Sequence, residues 1–166
     1  MEKQFNVRKG ILDAQTELEE LNLENNDIEF IEAGSFANLK RLRLLNLENN
    51  NLAALPDMLS YPESNLQILL LSNNKISSID SHTFRGQTFL DTLHLDRNDI
   101  TIINGNLFSD LVELKELKLD HNDIGHIGER AFSQLNRLWE LSLSHNRITG
   151  IGLGSLVGLD SLKDLM

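Results

Sequence analysis

Cysteine is absent from the 166 residues, which excludes disulfide staples and thiolate metal sites without fixing the redox compartment. Proline is nearly absent too, with two residues confined to the stretch Leu55-Pro56-Asp57-Met58-Leu59-Ser60-Tyr61-Pro62. Positive charge is scarce: 15 Lys and Arg stand against 25 acids, for a formal charge of −10. That balance repels phosphate polyanions, so nucleic acid and anionic membrane are poor partners, whereas a basic protein, a cation or an uncharged ligand is accommodated. No apolar run approaches the roughly 18 residues of a bilayer span, so direct membrane insertion of this segment is not expected. The opening Met1-Glu2-Lys3-Gln4-Phe5-Asn6 is polar and unlike a signal peptide, and no Asn-x-Ser/Thr sequon occurs. There is also no Gly-rich phosphate loop, His-Glu-x-x-His or Gly-x-Ser-x-Gly, so no catalytic residue, metal site or cofactor is expected.

What the chain does have is a period. Leu18, Leu42, Leu66, Leu90, Leu114, Leu138 and Leu162 fall at one interval of 24 residues. A block LxxLxLxxNxIxxI follows each of the first six, seen cleanly in Leu114, Leu117, Leu119, Asn122, Ile124 and Ile127. Such a period marks a solenoid, in which no unit buries its apolar side alone. The LxxLxL pieces alternate in period two, as half-buried strands do. The 24-residue return is long enough to lay the next strand parallel, by a right-handed crossover.

Each strand leads into a corner closing on one asparagine: Asn26, Asn50, Asn74, Asn98, Asn122 and Asn146. A stacked turn leaves backbone groups facing inward, and a buried amide satisfies both donors and acceptors, so these residues are expected to form a structural ladder. Phe36, Phe84, Phe108 and Phe132, each eighteen residues after its leading leucine, are expected to form a buried aromatic spine. Two units depart from the rule. The second has Ser60 in the Phe position amid its prolines, which predicts an extended convex segment. The sixth has Leu156 there amid Gly150, Gly152, Gly154 and Gly158, which predicts a looser coil.

Three segments follow: residues 1–17 as the second half of an earlier repeat, 18–161 as six repeats, and 162–166 as the start of a seventh. Neither end shows a polar cap, which predicts a piece of a longer array or end-on self-association.

These motifs resemble the leucine-rich repeat family across nearly the whole chain. The 24-residue unit with Phe at position 19 is similar to the "typical" class of Toll-like, chaoptin-like and Slit-like animal ectodomains. The resemblance implies an α/β-type solenoid: a right-handed arc with a parallel sheet on its concave face and mostly irregular or short helical convex segments. It also implies recognition of a protein ligand or co-receptor, without catalysis.

Strand alternation, counted from the leading leucine, places positions 2, 3, 5, 7 and 8 outward, in columns about 4.8 Å apart. Leu44, Ile68 and Leu70 then form an apolar island on a polar sheet, a partner site or incidental leucine. Trp139, between Lys115 and Lys163, is either a cation–π sandwich or an exposed anchor. Like charges sit side by side at Glu24 and Glu48, at Asp96 and Asp120, and at Glu116, Glu140 and Asp164. They suit a basic protein or calcium, or else are simply solvated. His121 and His145 share a turn position, which allows a zinc pair, a pH sensor or two plain surface histidines.

The expected function is non-enzymatic protein recognition in an extracellular or cell-surface receptor or adhesion protein. Contact is expected on the concave face through Leu44, Ile68, Leu70, His94, Lys118 and Trp139. A cytoplasmic scaffold or regulatory subunit is the alternative favoured by the cysteine-free sequence, and a spacer within a longer array is a third.

Overall fold

A computed structural model describes residues 5–55 and 64–166 of the chain. The proline-bearing stretch read above as extended lies, from residue 56, outside the described residues.

The leucine blocks form the strands Glu20–Asn22, Leu44–Asn46, Ile68–Leu70, Thr92–His94, Glu116–Lys118, Glu140–Ser142 and Asp164–Leu165. They line up in chain order as one seven-stranded parallel sheet. The register is unshifted from strand to strand: Leu21 faces Leu45, Leu45 faces Leu69, Leu69 faces Leu93, and so on to Leu165. A one-residue slip would turn every leucine to water, which is what fixes the pairing. The inward leucines Leu45, Leu69, Leu93, Leu117 and Leu141 are fully buried.

Past the asparagine corner a second run of short strands forms the flank. Phe5–Val7 pairs with Ile28–Ile31, Ala54–Leu55 with Ser78–Ile79, and Ile102–Ile103 with His126–Ile127, which also pairs with Gly150–Ile151. The convex return contains no helix among the described residues. It is a chain of tight turns closed by bonds three residues apart, such as Ala37 N–H to Gly34 O (3.1 Å), Leu39 N–H to Phe36 O (3.0 Å) and Leu42 N–H to Leu39 O (3.0 Å). The result is a parallel-sheet solenoid of about six turns.

Phe36, Phe84, Phe108 and Phe132 lie buried behind these turns. The last three stack ring on ring, with centroids 5.8 and 6.0 Å apart. Hydroxyl groups one residue before the Phe position close the convex side: Ser35 donates to Val7 O, Thr83 to Leu55 O and Ser155 to Gly128 O, each reaching the preceding coil.

The sixth coil does not loosen as its glycines suggested. A Cβ on Gly152 would lie 2.4 Å from Glu129 N, and one on Gly128 would lie 2.5 Å from Gly105 N. These glycines stand where successive coils approach too closely for any side chain, so they tighten the stack.

Candidate functional site

Each corner asparagine joins two coils. Asn98 accepts a bond from Ile76 N–H (3.0 Å) and donates to Leu71 O in the preceding coil (3.0 Å), and to Leu95 O and Asp96 O in its own (both 3.1 Å). Asn50, Asn74, Asn122 and Asn146 repeat the pattern, each accepting at 3.0 Å from the preceding coil. Asn26, exposed at the first corner, donates among the described residues only within its own coil, to Leu23 O and Glu24 O. These amides therefore face inward and are spent on the scaffold.

The residue before each corner asparagine has left-handed backbone. Asn25, Asn49, Asn73, Arg97, His121 and His145 all have φ between 52° and 56°. Asparagine tolerates that region because its short amide bonds locally, and histidine is also enriched there, whereas arginine adopts it less readily. The strands have ended three residues earlier, yet the column continues around the bend. Asn73 donates to Asn49 Oδ1 at 2.6 Å, and the rings of His121 and His145 stack at 4.2 Å with 11° between planes. Near-parallel rings direct their in-plane nitrogen lone pairs along parallel lines instead of onto one point, which does not fit a shared zinc ion. Among the described residues no group of three or more His, Asp or Glu is arranged to hold a metal ion.

On the outward face of the sheet, the rows are set by the register. Leu44 lies beside Ile68, and Ile68 beside Thr92. The next row runs Asn46, Leu70, His94, Lys118. Leu44, Ile68 and Leu70, two rows on neighbouring strands, are each half-buried and open on the outward side. Five of the six residues expected at a partner surface therefore form one contiguous patch.

Trp139 stands apart, 37 % exposed, in the row of Lys115 and Lys163. The Lys115 ammonium points to Asp91 Oδ2 (3.3 Å), on the far side from the indole. A hollow of about 600 Å³ lies against Trp139, bordered by Lys115, Arg137 and Lys163.

Sequence reading placed Glu116 only in a column of like charges, but it is the hub of the patch. Its Oε1 binds both His94 Nε2 (2.8 Å) and Lys118 Nζ (2.7 Å). Partial burial opposes ionisation of Glu116, but hydrogen bonds from Lys118 and His94, with the Lys118 charge, outweigh it and hold the carboxyl below its usual range. Burial likewise works against charged Lys118; the bond to Glu116 and the field of Glu116, Glu140 and Asp96 prevail and raise it. The acidic row Glu116, Glu140 and Asp164 is in register as the sequence implied, with Lys118 bonded to its Glu116 end and acting on Glu140 through its charge. The signal for this knot was the register itself: His94, one strand away and two positions along, meets Glu116 diagonally, and Lys118 lies two residues on along the same strand and face.

Comparison with known proteins agrees with the solenoid fold. The leucine rich repeat family matches residues 5–60, 64–124 and 112–166, so the chain belongs to that family, whose members are protein-interaction modules. No curated protein sequence matches it. A solved structure described as an octameric complex of Latrophilin 3 (Lec, Olf), Unc5D (Ig, Ig2, TSP1) and FLRT2 (LRR) contains a similar chain, 27 % identical, with a TM-score of 0.70. The match covers 96 % of this chain and 57 % of that one, so the chain spans little more than half the length of its structural neighbour.

Proposed function

We propose that this chain is a recognition module of an extracellular or cell-surface receptor or adhesion protein, and that it binds a protein ligand or co-receptor on the concave sheet. The observation that carries the reading is the continuous outward patch of Leu44, Ile68 and Leu70 beside the fixed pair His94 and Lys118. Apolar side chains held half-open on a rigid sheet give up little conformational entropy on binding, and a few such residues dominate most interfaces. The Glu116 bonds orient His94 and Lys118 in advance, and the remaining N–H donors of Lys118 favour a partner offering carbonyl or carboxylate acceptors. Trp139 extends the surface toward the C-terminal strands as a separate aromatic contact. The resemblance of the Phe-type unit to receptor ectodomains, and the neighbour's presence in a complex with Latrophilin 3 and Unc5D, support the extracellular setting.

The test is a binding screen of the purified chain against a panel of cell-surface ectodomains, followed by Leu44→Glu and Ile68→Glu on any hit. A receptor-type partner whose affinity falls by about tenfold or more in either variant supports the reading. A partner that binds both variants as it binds the original chain places recognition elsewhere.

A further inference from the structure

The convex side carries a second surface, built differently from the sheet. A hollow of about 870 Å³ lies among the turns of the fourth, fifth and sixth units, with Ser133 and Gly154 in its lining and Leu153 and Val157 along one edge. Leu153 is 85 % exposed and Val157 67 %. They occupy positions 16 and 20 of their unit. The same positions hold Ser81 and Arg85, Gly105 and Ser109, and Glu129 and Ser133 in the three preceding units, none of them a large apolar residue. Position 16 is exposed at Ala33, Ser81 and Glu129 as well, so the exposure of Leu153 is not peculiar to its coil, whereas Ala37, Ser109 and Ser133 at position 20 are half-buried. Leu156 differs: it holds the spine position, where Phe84, Phe108 and Phe132 are buried by a following coil.

Two exposed charges of opposite sign, Glu129 and Arg130, line the same hollow, and among the described residues neither is in an ion pair. A single patch thus holds an apolar projection and a recess, an anion and a cation. Such a set is complementary to itself under two-fold rotation, in which residue i meets j and j meets i.

We propose that this convex patch joins two copies of the chain back to back. Leu153 and Val157 of each copy enter the hollow of the other, and Glu129 of each meets Arg130 of the other. The formal charge of −10 per copy opposes association only locally, since charges more than about 8 Å apart are largely screened at physiological salt. The arrangement leaves both recognition sheets open and pointing away from each other, so a dimer presents two binding faces.

Sedimentation equilibrium of the full chain over a range of concentrations tests this. A monomer–dimer equilibrium that stops at two copies is expected, with Leu153→Glu raising the dimer Kd by about tenfold or more. Glu129→Arg and Arg130→Glu should each weaken self-association, because each makes the contact like-charged. An equimolar mixture of those two variants should dimerise again, since every contact in the mixed pair is then opposite in sign. A chain that stays monomeric overturns the proposal, as does a dimer indifferent to these substitutions. So does growth beyond two copies, which is the signature of end-on stacking.

Discussion

Replacing Asn98 by alanine probes the corner ladder at its best-defined rung. Asn98 is buried, and its amide makes four bonds. The carbonyls it serves keep other donors after truncation: Leu71 O retains Asn74 Nδ2, Leu95 O retains Asn122 Nδ2, and Asp96 O retains Asn73 N–H. Ile76 N–H, bonded to Asn98 Oδ1 in a buried setting, is the group left unpaired. One buried unpaired donor costs about 1–3 kcal/mol, and the three weakened carbonyls add to it, so about 2–4 kcal/mol of destabilisation is expected. Asn26→Ala, at the exposed first corner, should cost under about 1 kcal/mol because water replaces its bonds. Asn98→Asp keeps the acceptor for Ile76 but sets a carboxylate against three carbonyl oxygens. Its folded-state pKa is therefore raised, and the variant should be unstable at neutral pH and recover as pH falls through that raised value. Urea unfolding followed by circular dichroism measures all three. A loss below about 0.5 kcal/mol for Asn98→Ala, or equal losses at Asn98 and Asn26, would refute the reasoning, because burial of the donor is what separates the two sites.

Three further outcomes follow from the packing and charge. Gly128→Ala places a Cβ 2.5 Å from Gly105 N, backbone that cannot swing aside, and should cost about 1–3 kcal/mol in thermal or urea unfolding despite adding a single methyl group. Phe108→Ala removes the middle ring of the spine and should cost about 3–5 kcal/mol, whereas Phe108→Leu should recover much of it, read in the same assay. Glu116→Gln should lower stability modestly near neutral pH, and the difference from the original chain should vanish in acid. The sign follows from a lowered folded-state pKa: the contribution is present above the unfolded value and lost as pH falls through the folded one. A pH series of unfolding midpoints measures it.

The repeat made the scaffold legible because one physical constraint acts on every unit. Leu45, Leu69, Leu93 and Leu117 are buried by the same neighbours in the same register, so their spacing alone gives strand, face and pairing. The outward patch of Leu44, Ile68 and Leu70 follows from that register as geometry. What the sequence did not reveal lies where a residue's role depends on an adjacent coil. Glu116 reads as one acid among several until His94 and Lys118 are found on its carboxylate. Gly152 reads as slack until Glu129 N is found where its Cβ would be. His121 and His145 read as a candidate metal pair until their ring planes prove parallel. Arg97 gives no local hint of φ at 54°, since the stacked corner imposes it: Arg97 N–H donates to Asp120 O of the next coil, and Asn98 beside it is tied to Leu71 O of the preceding one. Arg97 is therefore the column member whose own conformational preference most opposes the turn.

The most direct test of the account is amide hydrogen exchange on the chain, free and bound to a partner found by the ectodomain screen. Partner-dependent protection is predicted at Leu44–Asn46, Ile68–Leu70, Thr92–His94 and Glu116–Lys118, with the flanking strands Ser78–Ile79 and His126–Ile127 unchanged. Protection confined to the flank or the convex turns, with the sheet unchanged, would contradict the claim that the concave face is the recognition surface.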